Sequence, residues 1–161
     1  MANFIDPRVV SSSLVRIINA KSGKYLSLDG PNEWWNNNDT SVTVRSLLNI
    51  SFTESPQTWI IEPRDSSTYS IRNELSGKYL SIRARGQDND NTVIQYENES
   101  LSFQHWTFIP LWDVGKWLIR NDNSGKYIGP QNRSIDENHY CIQFDDETQQ
   151  DPYQEWIFEQ L

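Results

Sequence analysis

Apolar and polar residues alternate along this chain in short runs, divided by clusters of Asn, Asp, Ser and Gly. A period of two marks a strand with one face buried, and no run shows the repeat of a helix. Three of the runs end in Asn: Val15-Arg16-Ile17-Ile18-Asn19, Tyr69-Ser70-Ile71-Arg72-Asn73 and Trp117-Leu118-Ile119-Arg120-Asn121. Each is followed by one segment: Ser22-Gly23-Lys24-Tyr25-Leu26-Ser27 recurs as residues 76–81 and, ending in Ile-Gly, as 124–129. The chain reverses at the Gly, which reaches positive φ without strain. A second strand starts at Lys-Tyr, with apolar side chains turned inward and polar ones outward. The third comprises Ser41–Arg45, Thr92–Tyr96 or His139–Phe144. The fourth opens at Gln57-Thr58-Trp59, Gln104-His105-Trp106 or Gln154-Glu155-Trp156.

These landmarks return in order about every 50 residues, which makes three copies of one unit. The copies span residues 14–63, 64–110 and 111–161 of a single domain covering 1–161. A solenoid needs capping repeats, and a propeller needs at least four blades. Closing three units around a pseudo-threefold axis removes the free strand edges. The expected fold is therefore all-β: a β-trefoil of twelve strands in three four-strand repeats. Trp59, Trp106 and Trp156 are expected in its core, with Tyr25, Tyr79 and Tyr127. The Gln of each Gln-x-Trp is expected to satisfy backbone groups near a turn.

Composition and charge narrow the function. The chain has 161 residues, a formal charge of −8, and seven Trp, seven Tyr and six Phe. An acidic surface repels phosphate, so neither nucleic acid nor membrane insertion is expected. The lone Cys141 excludes an intrachain disulfide, and no cofactor or metal motif is present. Residues 1–7 have neither a basic nor an apolar run, so a cytoplasmic location, or release without a classical signal peptide, is expected. Sequons at Asn38, Asn49, Asn98 and Asn132 fit the chance yield of an Asn-rich chain. His139 and Cys141 share a strand face without a third group to orient them, and Asp145-Asp146-Glu147 reads as a charged loop. No enzyme is expected.

The three Gln-x-Trp motifs, each following a turn-and-strand segment, resemble those of the ricin-B (R-type) lectins, particularly single-domain fungal lectins. That resemblance covers residues 14–161 and implies glycans or glycoproteins as partners, a possible homodimer and a role in defence. It also implies a shallow sugar pocket in each unit around the second and third strands. The family's pocket Asp falls at Ser27, Ser81 and Gly129, and its Gln at Thr43, Gln95 and Gln143. Its stacking aromatic falls at Arg45, Glu97 and Asp145, and its Asn at Pro56, Phe103 and Tyr153. Most of these are changed, so a galactose specificity does not carry over.

The loops hold other groups suited to sugar, which needs amides or carboxylates for hydroxyls and an aromatic face for C–H patches. In the first unit the candidates are Asp29, Trp34, Trp35, Asn37, Asn38 and Arg45. Adjacent tryptophans on an extended chain face opposite ways, so at least one is expected at the surface. The alternative is that both cap the barrel. The second unit offers Arg83, Asp88, Asn91, Gln95 and Glu97, within a loop that also carries Arg85, Asn89 and Asp90. The third offers Asp136, Asn138, Gln143 and Asp145, with Asn132 and Arg133 nearby. Each of these loops also reads as a solvated turn. A second function is a protein-binding trefoil such as a protease inhibitor, which would have one dominant protruding loop. A cytoskeletal trefoil is a third, disfavoured by the acidic surface.

Overall fold

A computed structural model describes residues 3–9, 12–65, 67–113, 115–145 and 151–161. The first unit contributes β2 (Leu14–Asn19), β3 (Tyr25–Leu28), β4 (Val42–Arg45) and β5 (Trp59–Pro63). The second contributes β6 (Tyr69–Asn73), β7 (Tyr79–Ile82), β8 (Val93–Tyr96) and β9 (Trp106–Pro110). The third has β10 (Trp117–Asn121), β11 (Tyr127–Pro130), β12 (His139–Phe144) and β13 (Trp156–Gln160). A strand not expected from the sequence, β1 (Asn3–Phe4), pairs with β13. Two residues are too short a run to show a period, and tertiary contact holds them: Ile5 N–H donates to the Phe158 carbonyl at 3.0 Å.

The first and last strands of each unit pair in a closed ring, β2-β5-β6-β9-β10-β13 and back to β2. The middle strands form three hairpins that cap one end of this barrel. They join one another through Tyr140 opposite Thr43, Ser41 opposite Ile94 and Thr92 opposite Ile142. This is the β-trefoil.

Trp59, Trp106 and Trp156 are fully buried. Their indole N–H groups donate to the carbonyls of Leu26, Leu80 and Ile128 at 3.0, 3.1 and 3.0 Å. Each ring thus bolts a barrel strand to its own hairpin. The Gln of each motif also serves the backbone: Gln57 accepts from Leu48 N–H and donates to the Ser46 carbonyl, each at 2.9 Å. The Asn ending each first strand organises the glycine turn, where Gly23, Gly77 and Gly125 have φ near +70°. Asn73 accepts from Ser76 N–H and donates across the unit boundary to the Pro56 carbonyl.

Three sequence expectations change. Tyr25, Tyr79 and Tyr127 are half-buried, and the core takes Leu26, Leu80 and Ile128 instead. Ser27 and Ser81, expected to face solvent, are fully buried. The third correction concerns register: Tyr25 lies opposite Arg45, Tyr79 opposite Tyr96 and Tyr127 opposite Phe144. Val44, rather than Thr43, is therefore the counterpart of Gln95 and Gln143. Arg45, Tyr96 and Phe144 are therefore equivalent to one another, and Arg45 does not share a position with Glu97 and Asp145. In a strand, one residue of slip exchanges the two faces.

Candidate functional site

The β3–β4, β7–β8 and β11–β12 loops each reach over the next unit, and a repeated set of hydrogen bonds fastens them there. Gln95 is fully buried; its side-chain N–H₂ donates to the carbonyls of Trp35 and Asn37, both at 2.9 Å, and its oxygen accepts from the Ser76 hydroxyl at 2.6 Å. Gln143 repeats this for the second loop, donating to the Gly86 and Asp88 carbonyls at 3.0 Å and accepting from Ser124 at 2.7 Å. Neither glutamine offers a group to a ligand, which corrects their reading as sugar contacts. A buried amide left unpaired would be costly, and here two backbone carbonyls and a serine hydroxyl pair each one.

A second tie runs beside the first. Asn38 accepts from Glu97 N–H at 2.9 Å, and Asn89 accepts from Asp145 N–H at 3.0 Å. In the third loop Glu137 takes this place, accepting from Ser46 N–H at 2.9 Å and from the Ser46 hydroxyl, with Lys24 Nζ at 3.7 Å. Burial opposes the Glu137 charge, but the Ser46 hydrogen bonds and the Lys24 and Arg45 charges outweigh it and hold its carboxyl below the usual range.

Three clefts open along these seams. The first, of about 330 Å³, is lined by Asp29, Trp34, Asn37, Asn38 and Asp39, with Tyr140 from the third unit. Trp34 is 49% exposed and Tyr140 45% exposed. Trp34 lies on Gly30, where an added Cβ would come 2.0 Å from the ring. Trp35 turns the other way: it packs against the core and donates from its indole to the Gly30 carbonyl at 3.1 Å. One tryptophan is exposed as expected, and it is Trp34.

The second cleft, also about 330 Å³, lies over β7 and β8 and includes Arg83, Arg85, Tyr96, Glu99 and Phe103, with Asp39 from the first unit. Arg85 pairs with Glu99 at 2.9 Å and stacks 5.4 Å from the Phe103 ring centre. Arg83 donates to the Asp39 carbonyl at 2.8 Å and the Ser41 hydroxyl at 3.1 Å. The third cleft, about 450 Å³, repeats the plan over β11 and β12 with Asn132, Arg133, Phe144 and Asp145, joined by Asn89 and Asp90 of the second unit. Arg133 pairs with Asp151 at 2.8 Å.

Of the other expected site residues, Asp88 and Asn91 shape the second loop: Asp88 N–H donates to the Asn91 side chain at 3.0 Å. Asp136 is exposed at 3.9 Å from His139 Nε2, and the Asn138 N–H donates to the Val44 carbonyl at 2.9 Å. Arg45 is half-buried, and Glu97 is exposed and lines none of these three clefts. Sequence reasoning passed over the wall aromatics Tyr96, Phe144 and Tyr140, and it did not single out Asp39 and Asp90 within their loops. The register slip hid Tyr96 and Phe144, and Tyr140 reaches the first cleft only across the unit boundary.

Cys141 is fully buried, which pushes its thiol well above the usual range. Of the acidic run beginning at Asp145, Asp146 and Glu147 lie outside the described residues. Among the described residues no group of three or more His, Cys, Asp or Glu side chains is placed to hold a metal, and no helix is long and apolar enough to cross a membrane.

Residues 4–96, more than half of the chain, match the family described as ricin-type beta-trefoil lectin domain-like. The chain belongs to that family. No curated protein sequence matches it. Among solved structures, the designed threefold-symmetric protein ThreeFoil aligns at a TM-score of 0.81 and 21% identity, over 92% of this chain and 99% of that one. The agglutinin of Rhizoctonia solani aligns at 0.76 and 13% identity, over 94% and 97%. The lectin of Polyporus squamosus, bound to a Neu5Acα2-6Galβ1-4GlcNAc epitope, aligns at 0.74 and 20% identity over 94% of this chain and 50% of that one. At these identities the likeness is one of fold.

Proposed function

We propose that the protein is a carbohydrate-binding lectin without catalytic activity of its own, recognising glycans in the clefts between its hairpins. The observation that carries this reading is the pairing, in each cleft, of an aromatic wall with exposed polar groups. Trp34 and Tyr140 serve the first cleft, Tyr96 the second and Phe144 the third. Sugars bind to such surfaces through C–H faces on aromatic rings and hydroxyls on amides, carboxylates and guanidinium groups. Family membership supports the same reading. Shallow clefts give weak single contacts, so several per chain, or a homodimer, would supply avidity. A defence role is part of the proposal and would act through glycans on a target cell surface.

A glycan array with the intact protein is the test, run beside a protease-inhibition assay. Binding to a defined glycan set, abolished by the free sugar, is the expected result. No glycan binding together with stoichiometric inhibition of a protease would overturn it.

A further inference from the structure

Strand two carries Ser27, Ser81 and Gly129 where the pocket acid was expected, so the second and third clefts need another carboxylate to bridge sugar hydroxyls. Each cleft contains two. In the second, Glu99 is held by Arg85. In the third, Asp145 is held by Lys126 at 3.3 Å and by the Asn89 amide at 3.3 Å. The remaining carboxylates, Asp39 and Asp90, are exposed, and neither side chain has a hydrogen bond or ion pair among the described residues.

These two residues are equivalent. Asp39 has φ +65° and Asp90 φ +69°, and their N–H groups donate to the Gln95 and Gln143 carbonyls at 3.0 and 2.9 Å. Each is therefore fixed by the following unit and stands in that unit's cleft, with Tyr96 or Phe144 lining it as well. The counterpart in the third loop is Asn138, with φ +60°. It meets a first unit in which Arg45 replaces the aromatic, so acid and aromatic ring occur together or not at all.

Building on the lectin reading, we propose that Asp39 and Asp90 are the hydroxyl-binding carboxylates of the second and third clefts, each supplied by the preceding unit, and that these clefts take uncharged pyranosides with two adjacent hydroxyl groups. A carboxylate accepts from both hydroxyls at once, while the neighbouring ring covers a C–H face. Charge sets the ligand class. Arg83 and Arg85 face Asp39 and Glu99 in one cleft, and Arg133 faces Asp90 and Asp145 in the other. With no excess of positive charge, neither cleft favours a sialic acid or a uronate.

The test compares the wild type, Asp39→Asn, Asp90→Asn and the double variant on a glycan array and by calorimetric titration of the best neutral glycan. Asn138 shows that asparagine fits this backbone, so the variants should melt with the wild type. Each single variant should weaken binding by about tenfold or more at its own cleft, and the double variant should lose binding at the second and third clefts while keeping that of the first. Undiminished binding by the double variant would overturn the carboxylate assignment while leaving the lectin reading intact. Wild-type binding confined to sialylated or uronate-bearing glycans would overturn the ligand class. A wild type that binds no glycan removes the lectin reading and this inference with it.

Discussion

The side-chain nitrogen of Gln95 lies 2.9 Å from the carbonyl oxygen of Trp35, so the second unit holds the first unit's tryptophan loop in place. The same amide reaches the Asn37 carbonyl at 2.9 Å, and its oxygen is occupied by Ser76. Local sequence therefore does not determine the shape of this loop by itself.

Gln95→Ala should lower the unfolding free energy by about 2 kcal/mol, since it leaves the Trp35 and Asn37 carbonyls without this donor and opens a gap at a buried position. Denaturant unfolding measures the loss, and hydrogen exchange should show faster exchange at the Asp39 amide. Gln95→Glu should be at least as damaging at neutral pH, where it sets a carboxylate against two carbonyl oxygens. Part of the loss should return in acid as that carboxyl is protonated.

The adjacent tryptophans should separate stability from binding. Trp35→Ala removes a ring packed on the core and its bond to the Gly30 carbonyl, at a cost of about 3 kcal/mol. Trp34→Ala should cost less than about 1 kcal/mol, as expected for a half-exposed side chain, yet weaken glycan binding at the first cleft. Thermal melts and titrations of both variants distinguish the two roles.

Gly30→Ala should destabilise more than Gly23→Ala. Both positions have positive φ, +76° and +72°, and share the backbone strain of about 1 kcal/mol. A Cβ at Gly23 meets nothing within 4 Å, whereas at Gly30 it collides with Trp34. The excess, read by chemical denaturation, measures the stacking of Trp34 on its loop. Displacement of the ring should also weaken binding at the first cleft.

Glu137→Gln tests the tie that closes the ring of units. The carboxyl is depressed in the folded protein, so its stabilisation is full above the ordinary value of 4.5 and is lost as pH falls through the lower folded value. At neutral pH the variant should lose about 0.5 kcal/mol, a small effect because the group is well exposed. The difference from wild type should shrink as pH falls below 4.5, as followed by melting temperature across the range.

The barrel was legible because its information is local and written three times. A glycine turn, a Gln-x-Trp and a period of two each place a strand without long-range knowledge. Register on the third strands was not legible, because Val42, Thr43 and Val44 are all buried and alternation marks no face. The bonds of Asn38, Asn89 and Glu137 at the ends of these strands were equally hidden, because they pair residues from different copies. The clefts escaped for the same reason: comparison within a unit cannot find Asp39 beside Tyr96. The exposed tryptophan was foreseen, but which of the pair it is depends on the short 3-10 turn Asn32–Trp34.

The loop ties run head to tail: first unit onto second, second onto third, third onto first. An isolated unit would thus carry one half of each of two seams and the whole of none. A one-unit ancestor could have bound through such seams only as a ring of three identical chains. In a single chain each seam carries its own residues, and that of the third unit onto the first has Arg45 where the other two have Tyr96 and Phe144.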